Sequence, residues 1–461
     1  MTRTYRIFKN KFLLKNITAV YEEKISKKAT RGIDKIGIVK FNEIKREPIH
    51  IIFKKCNAGN YKFSPYVEKL QNKGRNKFPR LISVSTIRDR IVLYIIKEIL
   101  HEIFPECVYR KLPNNYIKEI KSFYRDPISN NICHFKTDIN SFYDNIDHKI
   151  LIDILKSRIK SKRLIHLIST AIKTPTVPAN YRKKDIKEYK RDSGVPQGLS
   201  ISNVLANIYL TNVDKILQEK SIKYIRYVDD ILMFIDSENS LSIEDEVKEI
   251  LSFYKLKLNK NKTECHISES DLEYLGYTIS KSKVSVKNSN IERFITSVAA
   301  KFAVYTHNND QQIKKFPWIN KKIQKQVFIE DLNEKITGSI SDNKRYGWLF
   351  YYVEISDIPL LHKLDVIIST FFWRLNDFNN ASPPDLKKLA KSFYKIKYDS
   401  HNSYIHNYNK YESIVDKINY LGNRGYINPE KDYTKDEIEI IFNRIKKKRL
   451  TDLELDIGNI S

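Results

Sequence analysis

Cysteine is scarce in this chain: Cys56, Cys107, Cys133 and Cys265 are the only four among 461 residues, and no two stand in a C-x-x-C spacing. That excludes a zinc ribbon and a dense disulfide framework, and it fits a reducing cytoplasm. Long uncharged apolar runs are missing as well. Nothing approaches the ~18 residues that a bilayer crossing needs, and the first residues are basic and polar, so neither export nor membrane anchoring is expected. Glycine and proline are few, at 12 and 14, and no internal repeat or low-complexity block is present, which sets aside fibrous and disordered classes. Acidic side chains are outnumbered, 55 against 82 Lys plus Arg, for a net charge of +27. Such a surplus points to a polyanionic partner, nucleic acid first, although a coding bias toward Lys, Asn, Ile and Tyr would also produce it.

What is present is 41% hydrophobic and 12% aromatic residues, enough for a large core without staples in a chain long enough for about three domains. Basic residues recur at short intervals over the first 55 positions, and Arg80 to Ser85 alternates like a strand. Arg88 to Phe104 places Ile91, Val92, Tyr94, Ile95, Ile99 and Leu100 at helical spacing and stops at Pro105. His134 to Ile139 reads as an apolar strand delivering Asp138 at its end, followed by a helix capped by Asp147. Residues 174–193 are polar and Lys-rich and read as a surface connection. The glycine-bounded turn Gly194-Val195-Pro196-Gln197-Gly198 opens a helix through Val204 and Ile208, and Tyr224 to Ile235 reads as a β-hairpin with Asp229 and Asp230 at its tip. Beyond Ser280 the pattern is helical with aromatic clusters, broken at Ser382-Pro383-Pro384, and the basic run Arg444 to Arg449 reads as a solvated helix end.

Adjacent aspartates at the tip of an apolar hairpin repel each other and sit poorly in strands. A divalent cation resolves the conflict. Hard cations such as Mg²⁺ take carboxylate oxygens, and two ions ~3.5 to 4 Å apart can hold both the attacking and the leaving oxygen of a phosphoryl displacement. Such a site needs a further carboxylate from another strand, and Asp138 supplies it. Asp144 and Asp147 read instead as turn and cap residues.

These residues carry a resemblance. Phe135-Lys136-Thr137-Asp138-Ile139-Asn140-Ser141-Phe142-Tyr143-Asp144-Asn145-Ile146-Asp147-His148 resembles the first palm motif of reverse transcriptases. Gly194-Val195-Pro196-Gln197-Gly198-Leu199-Ser200, with Leu205-Ala206-Asn207-Ile208-Tyr209-Leu210 after it, is similar to the second in its bacterial group II intron and retron form, and Tyr227-Val228-Asp229-Asp230 to the third. Order and spacing agree from about Tyr61 to Ser280. The resemblance implies an α+β right-hand polymerase: fingers and palm of antiparallel sheet plus helices over residues 56–280, a helical thumb over 281–380 and a helical accessory region over 381–461, after an N-terminal extension of residues 1–55. It implies an RNA-directed DNA polymerase that extends a primer with deoxynucleoside triphosphates on an RNA template, using two Mg²⁺ ions for which Mn²⁺ can substitute.

Role by role, Asp138 and Asp229 are the implied principal metal ligands, with Asp230 a neighbouring acid and the Ile139 carbonyl an extra ligand. Tyr143 would lie beneath the incoming sugar and exclude a 2′-hydroxyl. Gln197 would contact the nucleotide, Arg80 and Lys69 would neutralise the triphosphate, and Lys262 would protonate the leaving pyrophosphate. Leu275, Gly276 and Tyr277 match the hairpin that grips the primer. There is no V-T-G triplet after the palm of the kind retron enzymes carry, and no His/Cys nuclease module of the intron kind. Within the family the likeness therefore moves toward the bacterial defence-associated, antiphage enzymes, which copy an accompanying noncoding RNA. Expected partners are that RNA, the DNA product and a second protein subunit or further copies of the chain, in the cytoplasm. A retron or intron-type enzyme, an RNA-dependent RNA polymerase, a non-catalytic RNA-binding scaffold and a subunit dependent on a partner polymerase stand as alternatives.

Overall fold

A computed structural model of the chain describes residues 2–26, 30–71, 78–108, 111–125, 131–267, 270–315, 317–399 and 403–457. The chain divides into two compact units, one formed by Met1–Arg110 and Asn131–Ile267 and the other by Lys111–Asn130 and Ser268–Ile460. The fold is α+β.

The first unit is organised by a four-stranded antiparallel sheet in the order Lys223–Tyr227, Asp230–Asp236, Ile132–Asp138, Glu264–Ile267. Its register pairs Cys133 with Ile235, Phe135 with Met233 and Thr137 with Ile231. Because side chains alternate across a strand, Cys133, Phe135, Ile231, Met233 and Ile235 share one face, and they join the apolar core with the helices Ile87–Ile103 and Ser202–Glu219. Each such fully buried aliphatic side chain stabilises by about 1.5 to 3 kcal/mol. The other face receives Lys136, Asp138 and Asp230. The N-terminal residues add to the same core through Phe8, Phe12, Ile17, Tyr21 and Ile52.

A second, smaller sheet pairs Tyr66–Gln71 antiparallel with Arg80–Val84. Its third strand is Thr176–Val177, added parallel to Tyr66 and Val67. The expected surface connection thus begins as a buried strand: Thr176 and Val177 are both buried, and the Thr176 hydroxyl meets Ser83 at 2.7 Å. Two β-branched residues in a polar stretch are too short a signal for periodicity to register. Helix ends follow local chemistry. Thr86, Ser161 and Asp147 each cap a helix, accepting from the backbone N–H of Asp89, Leu164 and Ile150.

The second unit is mainly helical, built on Asn288–Lys315, Lys321–Thr337, Ile358–Phe371, Leu389–Tyr398, Ile414–Asn423 and Lys435–Leu455, with two three-stranded sheets of very short strands. Aromatic rings form much of its interior: Phe302 meets Phe328 and Phe372 edge-on at 5.1 and 4.9 Å, and Phe294 stacks on Trp348 at 4.8 Å. Ser413 and Thr434 make full capping boxes with Asp416 and Glu437. The basic run Arg444 to Arg449 differs from expectation: it lies within the helix Lys435–Leu455, and Arg449 is drawn inward to pair with Glu334 at 2.6 Å and with Asp331. The buried Glu334 carboxylate and the half-buried Asp331 on the helix Lys321–Thr337 recruit it, a long-range demand that a run of like charges does not display.

Candidate active site

Strand register builds the site. Asp138 pairs directly with Asp230, and Tyr227, the last residue of the preceding strand, also pairs with Asp230. Val228 and Asp229 form the tip between them, and the Asp229 carbonyl accepts from the Ile139 N–H at 3.3 Å. The segment leading into the edge strand Glu264–Ile267 is laced along the end of the Asp138 strand: the Asn259 N–H donates to the Asp138 carbonyl at 2.8 Å, the Asn140 N–H to the Lys257 carbonyl at 2.8 Å, and Thr137 meets Thr263 at 2.8 Å. That lacing delivers Lys262, whose Nζ lies 2.6 Å from Asp138 Oδ2.

The electrostatics are those of crowded like charge. Burial, then the charge of Asp138, raises the Asp229 carboxyl above its ordinary range. Burial, then Asp229 and Asp138, pushes Asp230 up to about 7. Burial alone would lower Lys262, but the hydrogen bond and charge of Asp138, followed by Asp230 and Asp229, raise it, so it is protonated at neutral pH. One carboxylate oxygen of Asp138 and one of Asp229 are buried with no hydrogen-bond partner among the described residues. Orphaned hard oxygens beside mutually repelling acids suit a hard divalent cation. Among the described residues, however, no group of three or more His, Cys, Asp or Glu side chains is arranged as a ligand set. The expected meeting of three acids around ions is thus reduced here to neighbouring acids: like charges repel, and Lys262 holds the second oxygen of Asp138.

A residue outside the expected set fixes the tip. Arg226 forms a two-pronged ion pair with Asp214, Nε to Oδ1 and Nη2 to Oδ2 both at 2.6 Å, while its Nη1 donates to the Val228 carbonyl at 2.7 Å and to Asn207 Oδ1 at 3.2 Å. Val228 has φ +59°, a left-handed conformation unfavourable to a β-branched side chain. Arg226 therefore holds a strained turn between the two aspartates and the helix Ser202–Glu219. An arginine on the core-facing side of an apolar strand, one residue before Tyr227, is the signal that could have revealed it.

The remaining candidates fall into separate groups. The Tyr143 carbonyl accepts from Val195 N–H at 2.7 Å and its hydroxyl donates to Asn203 at 2.9 Å, tying it to the 194–198 turn. Gly194 has φ +80°, and a Cβ there would stand 2.8 Å from the Asp144 carbonyl, so the turn requires glycine. The Gln197 carbonyl accepts from Ser83 N–H at 2.7 Å, which docks the turn on the strand that begins at Arg80. Lys69 and Arg80 are diagonal neighbours on one face of that hairpin, since Lys69 pairs with Ile82 and Gln71 with Arg80. Leu275, Gly276 and Tyr277 belong to the second unit. There the Leu275 carbonyl accepts from the Tyr351 hydroxyl at 2.9 Å, the Gly276 carbonyl from Asn290 at 3.3 Å, and the Tyr277 hydroxyl donates to the Tyr351 carbonyl.

With this geometry in view, residues 70–279 match the family described as reverse transcriptase (RNA-dependent DNA polymerase). The match covers just under half of the chain, and the proteins it is similar to include a group II intron-encoded protein. The chain is 27% identical over 201 residues to a COX1/OXI3 intron 2 protein of Saccharomyces cerevisiae, covering 41% of this chain and 21% of that one. It is 28% identical over 186 residues to a group II intron-encoded protein of Lactococcus lactis subsp. cremoris, covering 39% of this chain and 30% of the relative. It spans less than a third of either. Among solved structures, telomerase from Candida albicans in complex with the TWJ fragment of telomeric RNA is similar with a TM-score of 0.40 at 13% identity, covering 80% of this chain and 68% of that one. Among the described residues no helix is long and apolar enough to cross a membrane.

Proposed function

We propose that the protein is a template-directed DNA polymerase that copies RNA: a primer 3′-hydroxyl attacks the α-phosphorus of a deoxynucleoside triphosphate and pyrophosphate leaves. The observation that carries this reading is the pairing of Asp138 with Asp230 across two strands, with Asp229 beside them and one buried oxygen each of Asp138 and Asp229 without a hydrogen-bond partner among the described residues. Asp138 and Asp229 are the residues to hold Mg²⁺, with the Ile139 carbonyl and Asp230 beside them. Bound ions would neutralise the triphosphate and lower the pKa of the primer hydroxyl. Lys262, charged at neutral pH, is the group to give a proton to the departing pyrophosphate. Tyr143 underlies the sugar and selects deoxynucleotides, Gln197 meets the nucleotide through a turn whose backbone is already fixed, and Lys69 and Arg80 counter the phosphates. Leu275, Gly276 and Tyr277 grip the primer. In this reading residues 56–280 are fingers and palm, 281–380 the thumb and 381–461 an accessory region.

The test is extension of an annealed DNA primer on RNA by the purified chain with dNTPs and Mg²⁺ or Mn²⁺. Synthesis by the wild type and none by Asp229→Ala/Asp230→Ala supports the assignment; equal synthesis by both removes it. Replacing Tyr143 by Ala should admit ribonucleotides, and unchanged sugar selectivity would take that role from Tyr143.

We extend the reading to antiphage defence in a bacterial cytoplasm, with a cognate noncoding RNA as template. Its support is that the sequence carries no V-T-G triplet after the palm of the kind retron enzymes have. Phage plating on cells carrying the wild type or Asp229→Ala/Asp230→Ala tests it: protection by the wild type alone is expected, and equal plating on both strains contradicts it.

A further inference from the structure

In the second unit, the helix Leu389–Tyr398 buries one face and presents an unusual other one. Leu389, Ala390, Ser392, Phe393 and Ile396 are buried. Lys388, Lys391, Tyr394, Lys397 and Tyr398 are exposed, and the spacing of 388, 391, 394 and 398 sets a single stripe along the helix. Tyr394 and Tyr398 are 49% and 72% exposed, and their rings stack on each other at 6.1 Å and 25°. Cations are interleaved with the rings. Lys397 Nζ lies 4.9 Å from the Phe393 centroid and 6.0 Å from that of Tyr398, while Lys387 and Lys391 stand 4.8 and 5.0 Å from the Tyr404 ring.

The charges there are crowded more than they are paired. Lys395 is answered by Asp399 at 2.8 Å. In the same unit, burial and then the like charges of Lys397 and Arg125 lower the Lys121 ammonium pKa, with Glu354 opposing them. Solubility alone would explain the lysines but not two large rings left side by side in water between them. Flat π faces set among cations match one chemistry closely: unpaired bases joined by phosphates, where stacking tolerates any base and lysine meets the backbone.

We propose that this stripe is a docking track for single-stranded nucleic acid outside the polymerising site, with bases stacked on Tyr394 and Tyr398 and phosphates facing Lys388, Lys391 and Lys397. It reads neither base identity nor sugar, so single-stranded RNA and DNA bind alike. The track would hold the unpaired part of a template or product, a role beyond the chemistry of the acids.

The experiment is fluorescence anisotropy of the full chain with a short labelled single-stranded RNA, in the presence of saturating unlabelled primer–template duplex to occupy the polymerising site. Tyr394→Ala/Tyr398→Ala should weaken binding about tenfold or more, and Tyr394→Phe/Tyr398→Phe should retain it, because stacking needs only the ring. Lys388→Gln/Lys391→Gln should flatten the dependence of log affinity on log salt by about 0.7 per lysine. All variants should extend an annealed primer at the wild-type rate, so failure of the track and failure of the polymerase reading are separable. Photo-crosslinking of thiouridine RNA to the wild type gives a check without substitution, and it should label the peptide carrying Tyr394 and Tyr398. The proposal is overturned by a folded double-alanine variant that binds like the wild type, by crosslinks that avoid this peptide, or by loss of self-association in place of RNA binding.

Discussion

In the helical unit, burial alone would raise the Glu334 carboxyl, yet Arg449, then His406, the Tyr408 hydroxyl and Arg424 bring it below its ordinary range. In the palm sheet, Asp229 and Asp230 are raised, each beside further negative charge, and Lys262 is bonded to Asp138 rather than to either of them. Both places take carboxylates out of water. One answers Glu334 with guanidinium groups, Arg449 Nη1 at 2.6 Å and Arg424 Nη2 at 3.9 Å, and with the Tyr408 hydroxyl at 2.8 Å. The other keeps buried carboxylate oxygens without a hydrogen-bond partner among the described residues. Charge matched within the chain builds stability, whereas charge left unmatched is a cost that persists where a ligand or cation completes the site.

The contrast can be broken most sharply by Asp229→Ala. Primer extension should fall on the order of 10³-fold or more, with the melting temperature of the purified chain no lower than that of the wild type; a drop in both would make Asp229 a structural residue. Arg449→Met is the complementary change. Leaving Glu334 and Asp331 without their partner should destabilise the helical unit by about 3 to 5 kcal/mol in denaturant unfolding; a near-neutral result would mean that the network is not what holds that helix. Arg226→Lys tests the support of the tip. It keeps the charge but loses the two-pronged grip, and extension should drop about 10- to 100-fold at nearly unchanged stability, whereas undiminished synthesis would free Val228 and Asp229 from Arg226.

The smallest effect concerns pH. A carboxyl with a folded-state pKa above its unfolded value is favoured when protonated, so its contribution to stability is present at low pH and is lost as pH rises through the unfolded and then the folded value. For Asp230 that window runs from about 4 to about 7. Asp229→Asn/Asp230→Asn should therefore stabilise the metal-free chain at pH 8 by about 1 to 2 kcal/mol, fading toward pH 4. Equal melting of mutant and wild type across this range would show that the acids are not strained against one another.

Much of the palm was legible because its signals are local. The strand Ile132–Asp138, the helix Ile87–Ile103 ending before Pro105, the Asp147 cap and the hairpin around Asp229 all follow from periodicity and turn chemistry over a few residues. What escaped depends on partners far away in sequence. Arg226 makes sense only once Asp214, Asn207 and the strained Val228 surround it. Thr176 and Val177 become a strand because Tyr66 and Val67 offer an edge, and Arg449 is buried because Asp331 and Glu334 sit on another helix. Likewise, nothing in Lys111–Asn130 marks it as part of the second unit, since membership is decided by tertiary contacts and not by local pattern.

The most direct measurement is thermal unfolding of the nucleic-acid-free chain against Mn²⁺ concentration, comparing wild type with Asp138→Asn/Asp229→Asn and with Arg449→Met. If the palm acids await a cation, the melting temperature of the wild type and of Arg449→Met climbs with added ion and that of the aspartate variant does not. Identical shifts in all three proteins, or none in the wild type, would contradict a cation site at Asp138 and Asp229.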